Sequence, residues 1–200
     1  MAQKNSKRSK PDHYSIQARR EGYFARSVYK LEELHNKFSL LQQGRTYLDM
    51  GAAPGSWSQY IIRRLQENVR LVSIDIQDMK YQGPEKIHTC IKGDMFDAAI
   101  QAQLAELGPF DALLSDAAPA TMGNRIADTL ASAGMAEHLL DAARSLVKPG
   151  GNLVIKLFMG GEEQELLKTI RQEYTQGRQF KPKACRKESY ETYLVGLGRL

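Results

Sequence analysis

The sequence predicts an α/β fold in which a mostly parallel sheet carries helices on both faces. Five short apolar runs are interleaved with stretches of helical periodicity, and two further strand-like runs close the chain. That alternation implies parallel strands joined by right-handed crossovers. No linker, repeat or low-complexity stretch divides the chain after residue 15, so its 200 residues read as one domain with enough length for a substantial core.

Residues 1–12 are polar and basic and are expected to be a disordered tail, with the folded domain spanning 13–200. Between Arg26 and about Lys37, Val28, Leu31, Leu34 and Phe38 recur at helical spacing. TYLDM (46–50) reads as a buried strand, followed by a small-residue turn and a helix over 56–66. RLVSID (70–75) is a second strand and KIHTCI (86–91) a weaker third. Helical periodicity returns over 95–107, and FDALLSD (110–116) is a fourth strand. A helix over 126–147 stops at Lys148-Pro149-Gly150-Gly151, a sharp turn. NLVIKLF (152–158) is a fifth strand, 162–175 a helix, and 178–182 and 190–196 are the closing strands.

Charge is unevenly distributed. Residues 1–30 hold eight Lys/Arg against Asp12 and Glu21, so of the net +5 this segment carries +6 and the rest −1. A basic arm on a near-neutral body points to a polyanionic partner, the alternative being a solvated tail. Arg178, Lys181, Lys183, Arg186 and Lys187 form a second basic cluster near the other end, and the two are expected to meet on one face. Neither cluster has the apolar face of a membrane-surface helix, and no apolar run is long enough to span a bilayer, so nucleic acid is expected rather than membrane. The basic start lacks the apolar segment of a secretory signal and the amphipathic face of a mitochondrial presequence. Cys90 and Cys185 form no CxxC and make no zinc site by themselves, and a reduced, cytoplasmic setting follows.

The turn after the first strand reads Asp49-Met50-Gly51-Ala52-Ala53-Pro54-Gly55-Ser56-Trp57-Ser58. Small residues opening a helix allow close ligand approach to the backbone. Asp75 ends the second strand, where a carboxylate can accept from ribose hydroxyls. GxGxxG and GK[ST] are both absent, which argues against dinucleotide or ATP phosphates and for an adenosine ligand without pyrophosphate, such as S-adenosylmethionine. Asp49 and Asp116 are candidates to face its sulfonium, and Asp94, after the third strand, to meet the adenine amino group. Taken singly, each acid is more readily a cap or turn residue, but together they fall at the carboxyl ends of successive strands, where ligands bind in such sheets.

Four residues make the candidate catalytic group: Lys30 on the N-terminal helix, Asp116 at the end of the fourth strand, Lys156 inside the apolar fifth strand, and Glu191 in the last. A buried lysine needs a partner, and Asp116 on the neighbouring strand can supply it; the alternative is a strand-end lysine reaching water. Lys156 is the candidate proton acceptor or, failing that, the group that orients a hydroxyl lone pair. Lys30 and a sulfonium would depress its basicity, while Asp116 and Glu191 would raise it. The chemistry needs no metal, and no His/Asp cluster suggests one.

LDMGAAPGSWSQY, SDAAP, KPGG-NLVIKLF and the closing S-x-E-x-Y resemble, in order and separation, the motifs of the RrmJ/FtsJ family of ribosomal RNA methyltransferases over about residues 13–198. The resemblance implies a Rossmann-like methyltransferase fold with seven strands, the last antiparallel. It implies a Lys-Asp-Lys-Glu tetrad at Lys30, Asp116, Lys156 and Glu191. It implies S-adenosylmethionine contacts at Gly55, Trp57, Asp75, Asp94 and Asp116. It further implies a monomer that methylates a ribose 2′-hydroxyl, a uridine in the A-loop of large-subunit ribosomal RNA, with the large ribosomal subunit as partner. Ser56 stands where the family has a second glycine, and Ala120 where it has asparagine after the proline. The readings set against it are a non-catalytic RNA-binding assembly factor and a base methyltransferase. The latter is disfavoured by the missing Pro-Pro-aromatic segment after the fourth strand and by cysteines poorly sited for a nucleophile.

Overall fold

A computed structural model of the protein describes residues 12–66, 68–186 and 188–200. Residues 1–11 of the expected tail, and Lys187 of the second basic cluster, lie outside the described residues. Asp12 belongs with the folded part rather than the tail: its carboxylate accepts from Ser15 N at 3.0 Å and caps α1 (His13–Arg20). The periodicity reading has no helix there because HYSIQARR buries only Ala18; α1 is held by distant chain instead, with the Tyr14 ring 5.4 Å from Tyr29 and Arg26 over Tyr14.

The remaining elements follow the predicted order. They are α2 (Val28–Phe38), β1 (Arg45–Met50), α3 (Ser56–Arg64), β2 (Val69–Asp75), β3 (His88–Lys92), α4 (Ala98–Leu107), β4 (Phe110–Ser115) and α5 (Arg125–Leu146), then β5 (Val147–Phe158), α6 (Glu163–Glu173), β6 (Tyr174–Phe180) and β7 (Glu191–Arg199). Two boundaries differ in an instructive way. The Lys148–Gly151 turn sits inside β5 as a bulge: Phe110 pairs with Val147 but Ala112 with Asn152, and Gly150 has φ +77°. β6 begins at Tyr174 rather than at 178, because the buried Tyr174 ring fixes the chain in extended form where α6 ends.

The seven strands order as β3-β2-β1-β4-β5-β7-β6, all parallel except β7, which runs antiparallel to both β5 and β6. One face packs Leu104, Leu139, Leu166 and Ile170 against Leu48, Ile74, Leu113 and Ile155. The other packs Leu31, Leu34, Trp57 and Ile61 against Tyr47, Leu114, Val154 and Tyr193. No helix among the described residues is long and apolar enough to cross a membrane.

This topology sets the position of the site. From β1 the chain moves outward to β2 and β3, then returns to β4 on the other side of β1, so a crevice opens at the carboxyl ends of β1 and β4. The register aligns Ile74, Met50 and Ser115, and Ser115 with Ile155. The next residues on these four neighbouring strands are Asp75, Gly51, Asp116 and Lys156, which therefore share one edge of the sheet.

Candidate active site

At that edge the loops meet at van der Waals limits. Gly51 has φ +75°, and a Cβ there would lie 2.4 Å from the Ala117 Cβ. Gly55, at φ +108°, would bring a Cβ to 2.6 Å from the Tyr81 Cβ. Both positions therefore require glycine for conformation and for space. Asp75 ties the loop to β2: Oδ2 accepts from Ala53 N at 2.9 Å and Oδ1 from Gln77 N at 2.8 Å. Each oxygen keeps a lone pair for a further donor. Asp94 is exposed and accepts from Phe96 N at 2.9 Å. The Trp57 indole is buried; it donates to Ser27 O at 2.9 Å and packs 6.0 Å from the Tyr193 ring. Its side chain thus fastens α3 to the start of α2.

The four candidate catalytic residues come together across four elements. Lys30, on the buried side of α2, donates to Glu191 Oε2 at 2.9 Å and lies 3.6 Å from Asp116 Oδ1. Lys156 Nζ lies 3.2 Å from the same Asp116 oxygen and donates to the Asp116 carbonyl. Burial alone would raise the Asp116 carboxyl, but the Lys156 and Lys30 ammoniums and the Tyr193 hydroxyl hold it below its ordinary value. Burial likewise disfavours charge on Lys30, and Asp116 and Glu191 outweigh it, so Lys30 stays protonated.

Tyr193 carries a role that the sequence reading did not assign. Its hydroxyl donates to Asp116 Oδ1 at 2.5 Å, and burial together with the neighbouring carboxylate keeps it well above its ordinary pKa. A signal was present: Tyr193 stands two residues after Glu191 on one strand, so both face the same side.

Asp49 is held in a buried hydrogen-bonded row. His88 Nδ1 accepts from Gly83 N at 2.9 Å, which leaves Nε2 to donate to Ser73 Oγ at 2.8 Å. Ser73 and Ser58 hydroxyls lie 2.9 Å apart, and Ser58 donates to Asp49 Oδ2 at 2.7 Å. Burial pushes Asp49 up to about 7 and His88 down to about 4. No spacing in the sequence announces this row.

A cavity of about 540 Å³ opens over the cluster, lined by Arg26, Lys30, Lys156, Phe158, Arg186 and Glu191 among others. Arg26 and Lys30 of the first basic cluster and Arg186 of the second meet here; Lys4, Lys7, Arg8, Lys10 and Lys187 lie outside the described residues. Arg26 donates to the Ala184 carbonyl, Arg186 lies 3.9 Å from Asp12, and Glu33 accepts from the amides of Lys183 and Ala184 at 2.7 and 2.8 Å. The loop before β7 is thereby clamped to α2, so that Glu191 meets Lys30. The arrangement offers a lysine beside a fixed carboxylate, cations for an anionic substrate, and the glycine-containing loop after β1 on the same edge of the sheet.

Comparison with known proteins agrees with this geometry. The chain is 45% identical over 192 residues to the ribosomal RNA large subunit methyltransferase E of Treponema denticola, covering 96% of each chain. It is 40% identical over 187 residues to that of Syntrophobacter fumaroxidans, covering 93% of this chain and 94% of the other. A crystal structure described as that of a ribosomal RNA methyltransferase from Plasmodium falciparum superimposes with TM-score 0.79 at 28% identity, over 89% of this chain and 99% of that one. Human methyltransferase-like protein 13, at 14% identity and TM-score 0.61 over 86% and 80% of the two chains, shares the fold. The sequence model of the FtsJ-like methyltransferases matches residues 23–199, a span that holds every residue of the cluster and both glycines of the crevice, and the chain belongs to that family.

Proposed function

We propose that the protein transfers a methyl group from S-adenosylmethionine to a ribose 2′-hydroxyl of large-subunit ribosomal RNA, with a uridine of the A-loop as the target. The observation that carries this reading is Lys156, held beside Asp116 in a cation-lined cavity that adjoins the glycine crevice. The relatives named for large-subunit RNA methylation support the substrate.

The crevice suits the cofactor. Gly51 and Gly55 let the loop after β1 close against Ala117 and Tyr81, which sets its backbone beside Asp75 and Asp116. Ser56, on the same turn, is 2% exposed, and its hydroxyl finds no hydrogen-bond partner among the described residues. A buried polar atom of that kind is costly unless a ligand satisfies it. Gly55, the Trp57 backbone, Asp75, Asp94 and Asp116 are the residues that would hold the cofactor. When bound, S-adenosylmethionine supplies a methyl carbon already activated on a sulfonium.

The protein's part is then alignment and proton management. As an ammonium, Lys156 Nζ orients the ribose hydroxyl lone pair; to receive the hydroxyl proton it must first release one of its own to solvent and act as the neutral amine. Asp116 fixes Lys156 and balances its charge; Lys30 and Glu191 hold Asp116 and the cavity wall in place. No aromatic clamp follows β4, where Ala117-Ala118-Pro119 stands, which favours a ribose over an exocyclic base amine.

Residues 13–200 act as the methyltransferase domain, preceded by a basic tail that contacts phosphates. Because the tetrad comes from one chain, a monomer suffices. Free Cys90 and Cys185 suit a cytoplasmic setting. Incubation with tritiated cofactor and undermethylated large subunits, followed by mapping of the label, tests the reading: label on a ribose supports it, and label on a base or none overturns it.

A further inference from the structure

We propose that Phe158, buttressed by Tyr190 and Arg125, is the shelf on which the base of the acceptor nucleotide stacks; this rests on the ribose-methylation reading. Phe158 lies two residues beyond Lys156 on β5, so both side chains project from the same face of the sheet. Leu153 through Ile155 and Leu157 are fully buried, whereas Phe158 is only partly buried and lines the reactive cavity. The other side chains that wall the cavity around Lys156 include the cations Arg26, Lys30 and Arg186. A lining that joins several cations, beside Glu188 and Glu191, to a partly buried aromatic ring fits a nucleotide, whose phosphates take the cations and whose base takes the ring.

The ring is supported from behind. Tyr190 meets Phe158 edge to face at 5.0 Å and 63°. Arg125 lies over Tyr190 at 5.4 Å. Backbone hydrogen bonds fix the pair, from Phe158 N to Ser132 Oγ at 3.0 Å and from Met159 N to Tyr190 O at 2.8 Å. A second cleft of about 340 Å³ is lined by Arg125, Ile126, Met159 and Gly160 among others. Phe158 belongs to the lining of the first cleft, and Arg125, which lies over Tyr190, to that of the second. The acceptor ribose lies on the Lys156 side, and the exposed Arg125 guanidinium faces the path of the adjoining strand.

Stacking has a signature that phosphate contacts lack, since it disappears when the base is removed. The full chain should bind a short oligouridylate more tightly than an abasic ribose-phosphate oligomer of equal length. Phe158→Leu and Tyr190→Ala should shrink that preference by roughly 5- to 150-fold, the range for loss of one base-aromatic stack. The salt dependence should be unchanged, because no phosphate contact is lost. On undermethylated large subunits the KM for RNA should rise in both variants with S-adenosylmethionine affinity unaltered. A wild-type protein without preference for the base-bearing oligomer overturns the shelf, as does a preference that survives both substitutions or a loss that falls on cofactor affinity. If Phe158→Leu folds poorly by circular dichroism, Tyr190→Ala, changed away from the core, decides the matter. A failure of the ribose reading shows separately, as label on a base or no label in the wild-type assay.

Discussion

Tyr193 donates its hydroxyl to Asp116 Oδ1 at 2.5 Å, the same oxygen that faces Lys156 at 3.2 Å and Lys30 at 3.6 Å. One carboxylate oxygen thus organises a neutral donor from β7, a cation from β5 and a cation from α2. Tyr193→Phe should remove a hydrogen bond to a charged acceptor, lowering stability by about 1.5–3 kcal/mol. The Asp116 carboxyl should rise as this donor is lost. Methylation should then fail at a higher pH on the acid side than in the wild type. An acid limb that stays in place in the variant would show that Asp116 ionisation does not govern the reaction.

Lys156→Ala should reduce single-turnover methylation by roughly 10²–10⁴-fold, the range for loss of a general base. Folding and cofactor binding should be nearly intact. Lys156→Arg should not rescue, because guanidinium does not give up its proton and its planar fork aims donors elsewhere. Retention of more than about a tenth of the wild-type rate in Lys156→Ala would make the lysine structural.

Asp75 both braces the crevice and offers acceptors to a ribose. Asp75→Ala should weaken S-adenosylmethionine binding through loss of two charge-assisted hydrogen bonds, each worth roughly 1.5–3 kcal/mol. Loss of the Ala53 and Gln77 contacts should also lower the melting temperature. Calorimetry that finds cofactor affinity equal to wild type would remove Asp75 from the binding site.

His88 and Asp49 end one hydrogen-bonded row and have opposite linkages to pH. Burial holds His88 down to about 4 from 6.5, so between those values the unfolded chain binds its proton and the folded chain does not. Burial raises Asp49 from 3.8 to about 7, so over nearly the same window the folded chain holds a proton and the unfolded chain does not. The two slopes cancel. His88→Gln keeps a donor toward Ser73 but removes one slope, leaving the folded chain with more bound protons. Stability should then fall with rising pH, relative to wild type, by up to about 1.4 kcal/mol per pH unit. Urea denaturation across this window checks it, and parallel pH profiles for the two proteins would contradict it.

Removal of residues 1–11 deletes Lys4, Lys7, Arg8 and Lys10 while sparing the Asp12 cap of α1. RNA binding should lose up to about 3 units of salt slope, at roughly 0.7 per released counterion on a single strand. Cofactor affinity should not change. An unaltered slope would identify the segment as a solvated end.

The order of strands and helices, the loop after the first strand and Lys156 each leave a local mark in the sequence, whereas the grouping of Lys30, Asp116 and Glu191 with Lys156 is what the family resemblance implies. Apolar runs of strand length alternate with helical periodicity, glycine clusters follow the first strand, and Lys156 interrupts an otherwise apolar strand. α1 was not legible, since its partners Tyr29 and Arg26 lie outside it and only Ala18 is buried. Tertiary structure alone decided that Asp116 Oδ1 gathers Lys30, Lys156 and Tyr193, that Glu33 clamps the loop before β7 onto α2, and that His88 reaches Asp49 through two serines. The physical reason is the range of the interactions. Helix and strand preferences are set by near neighbours, whereas hydrogen bonds and ion pairs between residues scores of positions apart depend on sheet order and register, which exist only once the chain has packed.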